Sequence, residues 1–575
     1  MKKSNKIVLF LLLTLNYSLL VESLPYRNVI YYGEWSIYAG QKNFYPSLME
    51  PKYITHLNFA FLDVNSDGDL VLCDEYADFQ LITLPELSGI SYGAPYAGVL
   101  GALAILKIKN PHLKVGISVG GWTRSGDFSA VSADKGKRQN FAHNIVKFID
   151  YLGYDFVDID WEYPTAVRPS DPAGNGVQVD EGCPGSPDDT ENFTKLLQEI
   201  RNELDALEEK NNKHYELSVA MSASPSMMEK IEYDKVLKIV DFANMMTYDL
   251  NGAWSDYTAH HTALYTNDAF DSKTMPDAQN SVDNCIKYLE EKYGSKIDMS
   301  KIVVGVAPYT RAWGGVKDDG LDKQNPGLYA SATPNSIKSA DGTTSGTYGF
   351  YELPALIEQY NLEEYFDNKA KAAYYYSSST GVFFTCDNEQ SVAAKGKYVK
   401  EKGLGGLIAW MASLDRDNTI TKAMFTSLFG KDYSFPKTTI NFSSIDASAK
   451  IVETEVGYDI TVQNNEKAVE TDVALKDAEL FQKSILLMKL YIKTKSGASF
   501  TAGSMAGSVK NEDGTVIVDP SSNYDAKNIA PGRSYTFSVR VSGTPDKSDI
   551  KSITMTQRIL TTLGEMKKQI IYESK

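Results

Sequence analysis

Four carboxylates, Asp155, Asp158, Asp160 and Glu162, fall within the apolar and aromatic run YDFVDIDWEYP at residues 154–164. Val157, Ile159 and Trp161 between them are large and need burial, so the run reads as a buried strand. Strand side chains alternate faces, which puts Asp158, Asp160 and Glu162 on one face and leaves Asp155 out of phase. Three carboxyls on one enclosed face cannot all ionise cheaply. Repulsion and partial burial raise the pKa of at least one, and the row titrates as a coupled set able to hold and relay a proton. A glutamic acid kept protonated near neutral pH in this way is a general acid. A solvated edge strand would leave the three apolar residues in water, and a hard cation would draw further ligands from other segments. No metal ligand is assigned, and the adjacent His260 and His261 diverge on any regular element.

Such a row needs a rigid frame. Short β-rich runs alternate with helical patterns from Val29 to Trp410, namely NVIYYG, ITHLNFAF, LKVGISV, DFVDID, ELSVAMSA, FANMMTY, IVVGVAP and GGLIAW. Eight runs with intervening helices, such as NFAHNIVKFIDYLG and TENFTKLLQEIRNELDALEEK, predict an α/β fold of the TIM (β/α)8 type over residues 24–432. In a barrel the shared face of the acid run is the interior, and the row climbs to the C-terminal mouth. Two long connections break the rhythm, a Pro/Gly/Asp-rich loop at 164–190 and a mixed α+β insertion at 314–380 between strands 7 and 8. Both follow strands and are expected to wall the mouth. Residues 433–575 change to short β-type runs between Gly, Asn, Asp and Ser, which predicts a C-terminal β-sandwich domain. It is a candidate carbohydrate-binding module or a structural appendage, and none of the six tryptophans lies in it.

The 575 residues carry a formal net charge of −16, which argues against nucleic acid and anionic membrane surfaces as partners. Residues 1–23 read as a secretory signal peptide, basic MKKSNK followed by IVLFLLLTL, so the expected product is secreted and extracellular, with no membrane segment after cleavage. Cys73, Cys183, Cys285 and Cys386 are too scattered for a disulfide framework or a zinc site, and any pairing stays open. Sequons stand at Asn192 and Asn441.

The acid run resembles the DxxDxDxE signature of glycoside hydrolase family 18, the chitinases. SVGGW at 118–122 resembles the SxGG motif of the third strand, MTYD at 246–249 the sixth-strand motif, and YTRAW at 309–313 the Tyr-x-Arg-x-aromatic segment after the seventh. Trp410 resembles the tryptophan that floors the cleft. The motifs follow barrel order over roughly residues 27–430, and one departure is visible, Phe156 where many relatives carry Gly. The C-terminal domain lies outside the resemblance.

The resemblance implies a monomeric chitinase that hydrolyses β-1,4-linked N-acetylglucosamine polymers, chitin or its oligosaccharides, with retention. Its substrate-assisted mechanism passes through an oxazolinium ion and needs no cofactor. It assigns catalytic roles to Glu162, Asp160, Asp158 and Tyr248. Trp410, Tyr31, Phe61, Met246, Asp249 and Arg311 would surround the distorted sugar, and Trp35, Trp122, Trp254 and Trp313 would serve neighbouring subsites. Ser118, Gly120, Gly121 and Asp155 read as architectural. Two alternatives share the scaffold, an endo-β-N-acetylglucosaminidase acting on N-glycans and a chitin-binding lectin. A lectin of this kind typically lacks the acid that stands here as Glu162.

Overall fold

The structure, a computed structural model, describes residues 24–87, 97–171, 179–339, 342–436, 445–467, 485–486, 489–504, 506–520, 528–558 and 566–574. The expected signal peptide and the Asn441 sequon lie outside the described residues. Eight parallel strands form the barrel: β1 Arg27–Gly33, β2 His56–Val64, β3 Lys114–Gly120, β4 Phe156–Asp160, β5 Glu216–Ser222, β6 Phe242–Met246, β7 Ile302–Val306 and β8 Gly406–Ala409. Each corresponds to one of the eight β-rich runs. Strand β1 pairs with both β2 and β8, which closes the sheet.

Alternation along β4 sorts its side chains into two environments. Val157 and Ile159, with Trp161 just beyond, pack outward in the main hydrophobic core with Phe141, Ile145, Phe193 and Leu196 of the surrounding helices. Burial of each such side chain stabilises by about 1.5–3 kcal/mol, which helps offset carboxyls on the opposite face. The helix Lys135–Leu152 begins where Asp134 accepts a hydrogen bond from the Lys137 N–H at 2.9 Å, and it ends at left-handed Gly153. The long amphipathic helix Asp189–Asn211 covers β4 from the other side and buries Asn192, so the sequon there is not presented to solvent.

The lumen is filled by Val29, Tyr31, Phe156, Phe242, Val303 and Ile408. Phe156, the departure from the family pattern, is accommodated by its neighbour. A Cβ on Gly116 of β3 would come within 2.5 Å of the Phe156 ring, so the glycine supplies the space that the larger residue takes. At the N-terminal end of the lumen, buried Glu216 is paired with Lys114 at 2.9 Å and Arg27 at 3.5 Å and hydrogen-bonded to the His56 ring at 2.9 Å. The barrel floor is therefore charge-balanced. The acid row at the other end has no such partner set.

Between β7 and β8 an antiparallel sheet in the order Arg311–Trp313, Val382–Cys386, Ala372–Ser377, Glu363–Asp367 carries the helix Leu353–Tyr360. It is the expected α+β insertion. Its two flanking strands lie outside 314–380, so the unit extends past those bounds on both sides. The C-terminal residues form antiparallel sheets whose facing side chains, among them Tyr458, Ile460, Leu490, Ile492, Val516, Phe537 and Ile553, share one core. The four cysteines are unpaired, and Cys183, Cys285 and Cys386 are buried.

Candidate active site

Asp158 is fully buried in the lumen and accepts four hydrogen bonds. The donors are the Tyr31 hydroxyl at 2.6 Å, the Ser118 hydroxyl at 2.7 Å, the Ser218 hydroxyl at 2.5 Å and the Asn244 amide at 3.3 Å. Register explains the convergence, because Ser118 on β3 and Ser218 on β5 are the residues directly beside Asp158. Burial pushes the Asp158 carboxyl up while the four donors pull it back. One step higher, Asp160 is buried with its Oδ1 lacking any hydrogen-bond partner. Burial, then the Glu162 and Asp158 charges, push the Asp160 carboxyl well above the usual carboxylate range.

Glu162 is partly buried at the rim. Burial, reinforced by the Asp249 and Asp180 charges, raises its carboxyl to about 7, against the opposing pull of the Tyr163 hydroxyl and Arg168. The upper two carboxyls therefore retain a proton near neutral pH. Their backbone is fixed by the turn that follows β3: the Gly121 N–H donates to the Asp160 carbonyl at 2.7 Å, and the Glu162 N–H donates to the Ser125 hydroxyl at 2.9 Å. Gly120 has φ +110°, and a Cβ there would stand 2.2 Å from the Asp160 carbonyl oxygen. Only glycine permits this approach.

Beyond β6, Tyr248 is buried with its hydroxyl pKa pushed well above 10 by burial and by Asp160 and Glu162, so it stays a neutral donor. Its neighbour Asp249 accepts from the Arg311 Nε at 2.7 Å and lies 3.5 Å from the His261 ring. Burial pushes the Asp249 carboxyl up, but Arg311 and His261 outweigh it and hold the group well below the usual range. It remains a charged carboxylate facing Glu162.

These groups open into a cleft of about 680 Å³ at the C-terminal mouth, lined by Tyr31, Trp35, Phe61, Trp122, Thr123, Asp160, Glu162, Tyr163, Met246, Tyr248, Asp249, Trp254, Tyr309, Arg311 and Trp410. Trp410 stacks on Phe61 with ring centroids 5.5 Å apart and also contacts Tyr31 at 5.4 Å and Trp35 at 6.1 Å. Trp122 and Trp254 are 49% and 52% exposed, standing as platforms rather than as core. Aromatic faces beside a few convergent polar groups are the ordinary makeup of a sugar site.

Of the residues singled out from sequence, the cleft lining brings together three of the four candidate catalytic groups, with Asp158 beneath them, and nine of the ten binding candidates. Trp313 is the exception. It is fully buried against Tyr374 and Phe383 in the insertion's own core, and its indole N–H donates to the Ser255 carbonyl at 3.1 Å. It packs the insertion instead of facing sugar. Asp155 is tied below the barrel by the Val115 N–H at 2.9 Å and by Lys213 at 2.8 Å. Ser118, read as a small packing residue, also donates to Asp158. The expected walls act indirectly: among the described residues, neither 164–190 nor 314–380 lines the cavity, but Arg168 lies over Trp122 at 4.0 Å and Thr347 accepts from Arg311 at 2.8 Å.

Sequence reasoning missed Tyr163, Tyr309 and Thr123 in the lining and Ser218 and Asn244 behind Asp158. Tyr163 and Tyr309 sit inside motifs already singled out, so their position was a usable signal. Among the described residues no group of three or more His, Cys, Asp or Glu has the arrangement to hold a metal ion.

The sequence profile described as Glycosyl hydrolases family 18 matches residues 27–415. The chain belongs to this family. Among its family relatives, Chitinase A1 of Niallia circulans is 33% identical over 434 residues, covering 70% of this chain and 58% of that protein. Chitinase 1 of Aphanocladium album is 29% identical over 396 residues, 68% of this chain and 82% of the other. The match therefore spans little more than half the length of the first relative. The solved structure of chitinase ChiA74 from Bacillus thuringiensis shares the fold, with a TM-score of 0.60 over 92% of this chain and 100% of that one at 22% identity. The Group IV chitinase of Ostrinia furnacalis, solved with allosamidin, gives a TM-score of 0.57 at 27% identity over 70% of this chain and 98% of that one. The family match ends at Asp415, so the C-terminal sheets stand outside it.

Proposed function

We propose that this family 18 chain is a secreted chitinase that cleaves β-1,4-linked N-acetylglucosamine polymers with retention by substrate assistance. The observation that carries the reading is the graded acid row: Asp158 fully hydrogen-bonded, Asp160 buried with an orphan oxygen, and Glu162 at the rim with its carboxyl raised to about 7. Glu162 protonates the glycosidic oxygen. The sugar's 2-acetamido carbonyl attacks its own anomeric carbon, breaking the bond to the leaving sugar and forming the oxazolinium ring. Asp160, whose Oδ1 has no protein partner, accepts the acetamido N–H and balances the positive charge, while the Tyr248 hydroxyl donates to the acetamido oxygen. Water deprotonated by Glu162 then opens the ring from the face the leaving group left, which retains configuration. Trp410 floors the distorted sugar. The relatives named as chitinases, and the one solved with allosamidin, support the same substrate class.

The test separates this from a two-carboxylate glycosidase. Chitin oligomers should be cleaved, fully deacetylated chitosan should be nearly inert, and a thiazoline analogue of the cyclic intermediate should inhibit. Efficient cleavage of deacetylated polymer, or a covalent adduct trapped on an aspartate, overturns the mechanism. Release of N-glycans from a glycoprotein in preference to cleavage of a chitin hexamer overturns the substrate.

A further inference from the structure

The loop after β4 returns to the mouth as a two-residue ladder, Val167–Arg168 against Cys183–Pro184. The cation at this point, Arg168, is largely covered, with 18% of its side chain exposed. The guanidinium lies over the Trp122 ring 4.0 Å from the centroid, donates to the Trp122 carbonyl, and donates a second hydrogen bond to Asp180. Asp180 is itself anchored, accepting from the Gly182 N–H at 2.8 Å, and the next residue ties the loop to β3's exit through the Glu181 N–H and the Thr123 carbonyl at 3.0 Å. Three features of one planar cation are thus in use: its face, its fork and its charge. A lysine could supply only the last.

We propose that Arg168 is a positioning residue, which locks the Trp122 ring as a rigid sugar platform and, together with Asp180, sets the charge balance seen by Glu162. The inference rests on the chitinase reading of the cleft. An exposed tryptophan on a flexible loop would lose rotamer freedom each time sugar stacked on it; a ring already clamped on its other face does not incur that loss at binding. The second role follows from the groups facing Glu162. Asp160 stands below it on the same strand, the Tyr163 hydroxyl beside it, Asp249 and Tyr248 across it from β6's exit, and Arg168 and Asp180 on the return loop. Arg168 favours the ionised form of Glu162 and Asp180 the protonated form. The pair is therefore a local dipole whose two ends act in opposite senses.

Three variants divide the roles. Arg168→Lys keeps charge but loses the fork and the planar stack, so KM for a chitin hexamer should rise several-fold with little change in kcat or in the alkaline limb of the pH profile. Arg168→Met should raise KM similarly and move the alkaline limb of kcat/KM to higher pH, because the positive charge is gone and Asp180 is left unpaired. Asp180→Asn should move that limb to lower pH. A lesion that merely loosens the loop cannot shift one limb in opposite directions. Circular dichroism checks folding, and acrylamide quenching of tryptophan fluorescence reads the lock without turnover: Arg168→Met should increase quenching, and the increase should vanish in a Trp122→Phe background. Limbs that stay in place or shift together, or quenching that is unchanged, overturn the proposal. If the wild-type chain fails to cleave the hexamer, the chitinase reading fails, and the quenching comparison still decides the clamp.

Discussion

Replacing Glu162 with Gln keeps the side chain's length and hydrogen-bonding capacity and removes its transferable proton. The size of the effect follows from the carboxyl's setting. At a pKa of about 7, against an ordinary value of 4.5, Glu162 is still mostly protonated a unit below neutrality. By the same arithmetic an unshifted carboxyl would be protonated in only about one copy in thirty at about pH 6. The environment therefore supplies roughly thirty-fold more competent acid at that pH. The amide variant forfeits this together with the proton transfer itself, so kcat should fall by about 10² to 10⁴, or about 3–5 kcal/mol in the barrier. Because an amide does not titrate, the alkaline limb centred near the Glu162 pKa should disappear from whatever rate remains. Initial rates on a chitin hexamer across the acid-to-alkaline range, with calorimetric binding of the same oligomer, measure both. Binding should be retained. Turnover within tenfold of wild type, or a residual rate that still falls through the Glu162 pKa, refutes the reasoning.

Asp249→Asn removes a negative charge that raises Glu162 and leaves Arg311 unopposed, so the alkaline limb of kcat/KM should move to lower pH; an upward shift contradicts the electrostatic account. Gly120→Ala places a Cβ 2.2 Å from the Asp160 carbonyl at φ +110°, which should destabilise by about 2–4 kcal/mol in denaturant unfolding and displace Asp160, while a neutral substitution would mean the β3–β4 contact is adjustable. Burial raises buried Glu34 to about 8 and pushes its neighbour Asp78 well above the usual range. Both groups bind protons more tightly folded than unfolded, so their contribution to stability is present at acid pH and is lost as pH rises through the Glu34 pKa. Glu34→Gln should flatten the decline of Tm over that window, and an unchanged slope refutes the assignment.

The eight strands were legible because strands enclosed by helices must be apolar, and the acid row because a period of two survives any choice of barrel register. What escaped needed three dimensions. Ser218 and Asn244 reach Asp158 only through the β4–β5–β6 register, and nothing in ELSVAMS or FANMM alone marks either residue as a donor to a carboxylate sixty or more positions away. Trp313 and Trp122 are equally aromatic and follow strands, yet one is sealed by Tyr374 and Phe383 while the other stands half exposed. Residue type gives the capacity to stack on a sugar, and only the surrounding packing decides whether the ring is available. The insertion's bounds slipped for a related reason: Arg311–Trp313 reads as the end of a site motif, and its pairing with Val382–Cys386 is visible only once the chain has returned.

The acid row also shows why its three members cannot exchange places. The step from Asp158 to Asp160 along β4 removes protein hydrogen-bond donors, from four at Asp158 to none at Oδ1 of Asp160. A carboxylate with four donors is stabilised in its charged form, whereas one buried beside it without donors is favoured protonated. The proton is thereby biased toward the mouth of the barrel before any substrate arrives. In the proposed mechanism an acetamido N–H brought to the orphan oxygen would reverse that bias, since it would stabilise the ionised form of Asp160, whose proton would pass to Asp158 while Glu162 keeps its own. The sugar that delivers the nucleophile would thus also favour ionisation of the group that balances its developing charge. An Asp160→Asn variant can offer the acetamido group an amide oxygen but cannot change charge in response, so it should bind oligomer while losing the rate enhancement. Wild-type turnover in that variant would show that the row serves packing alone.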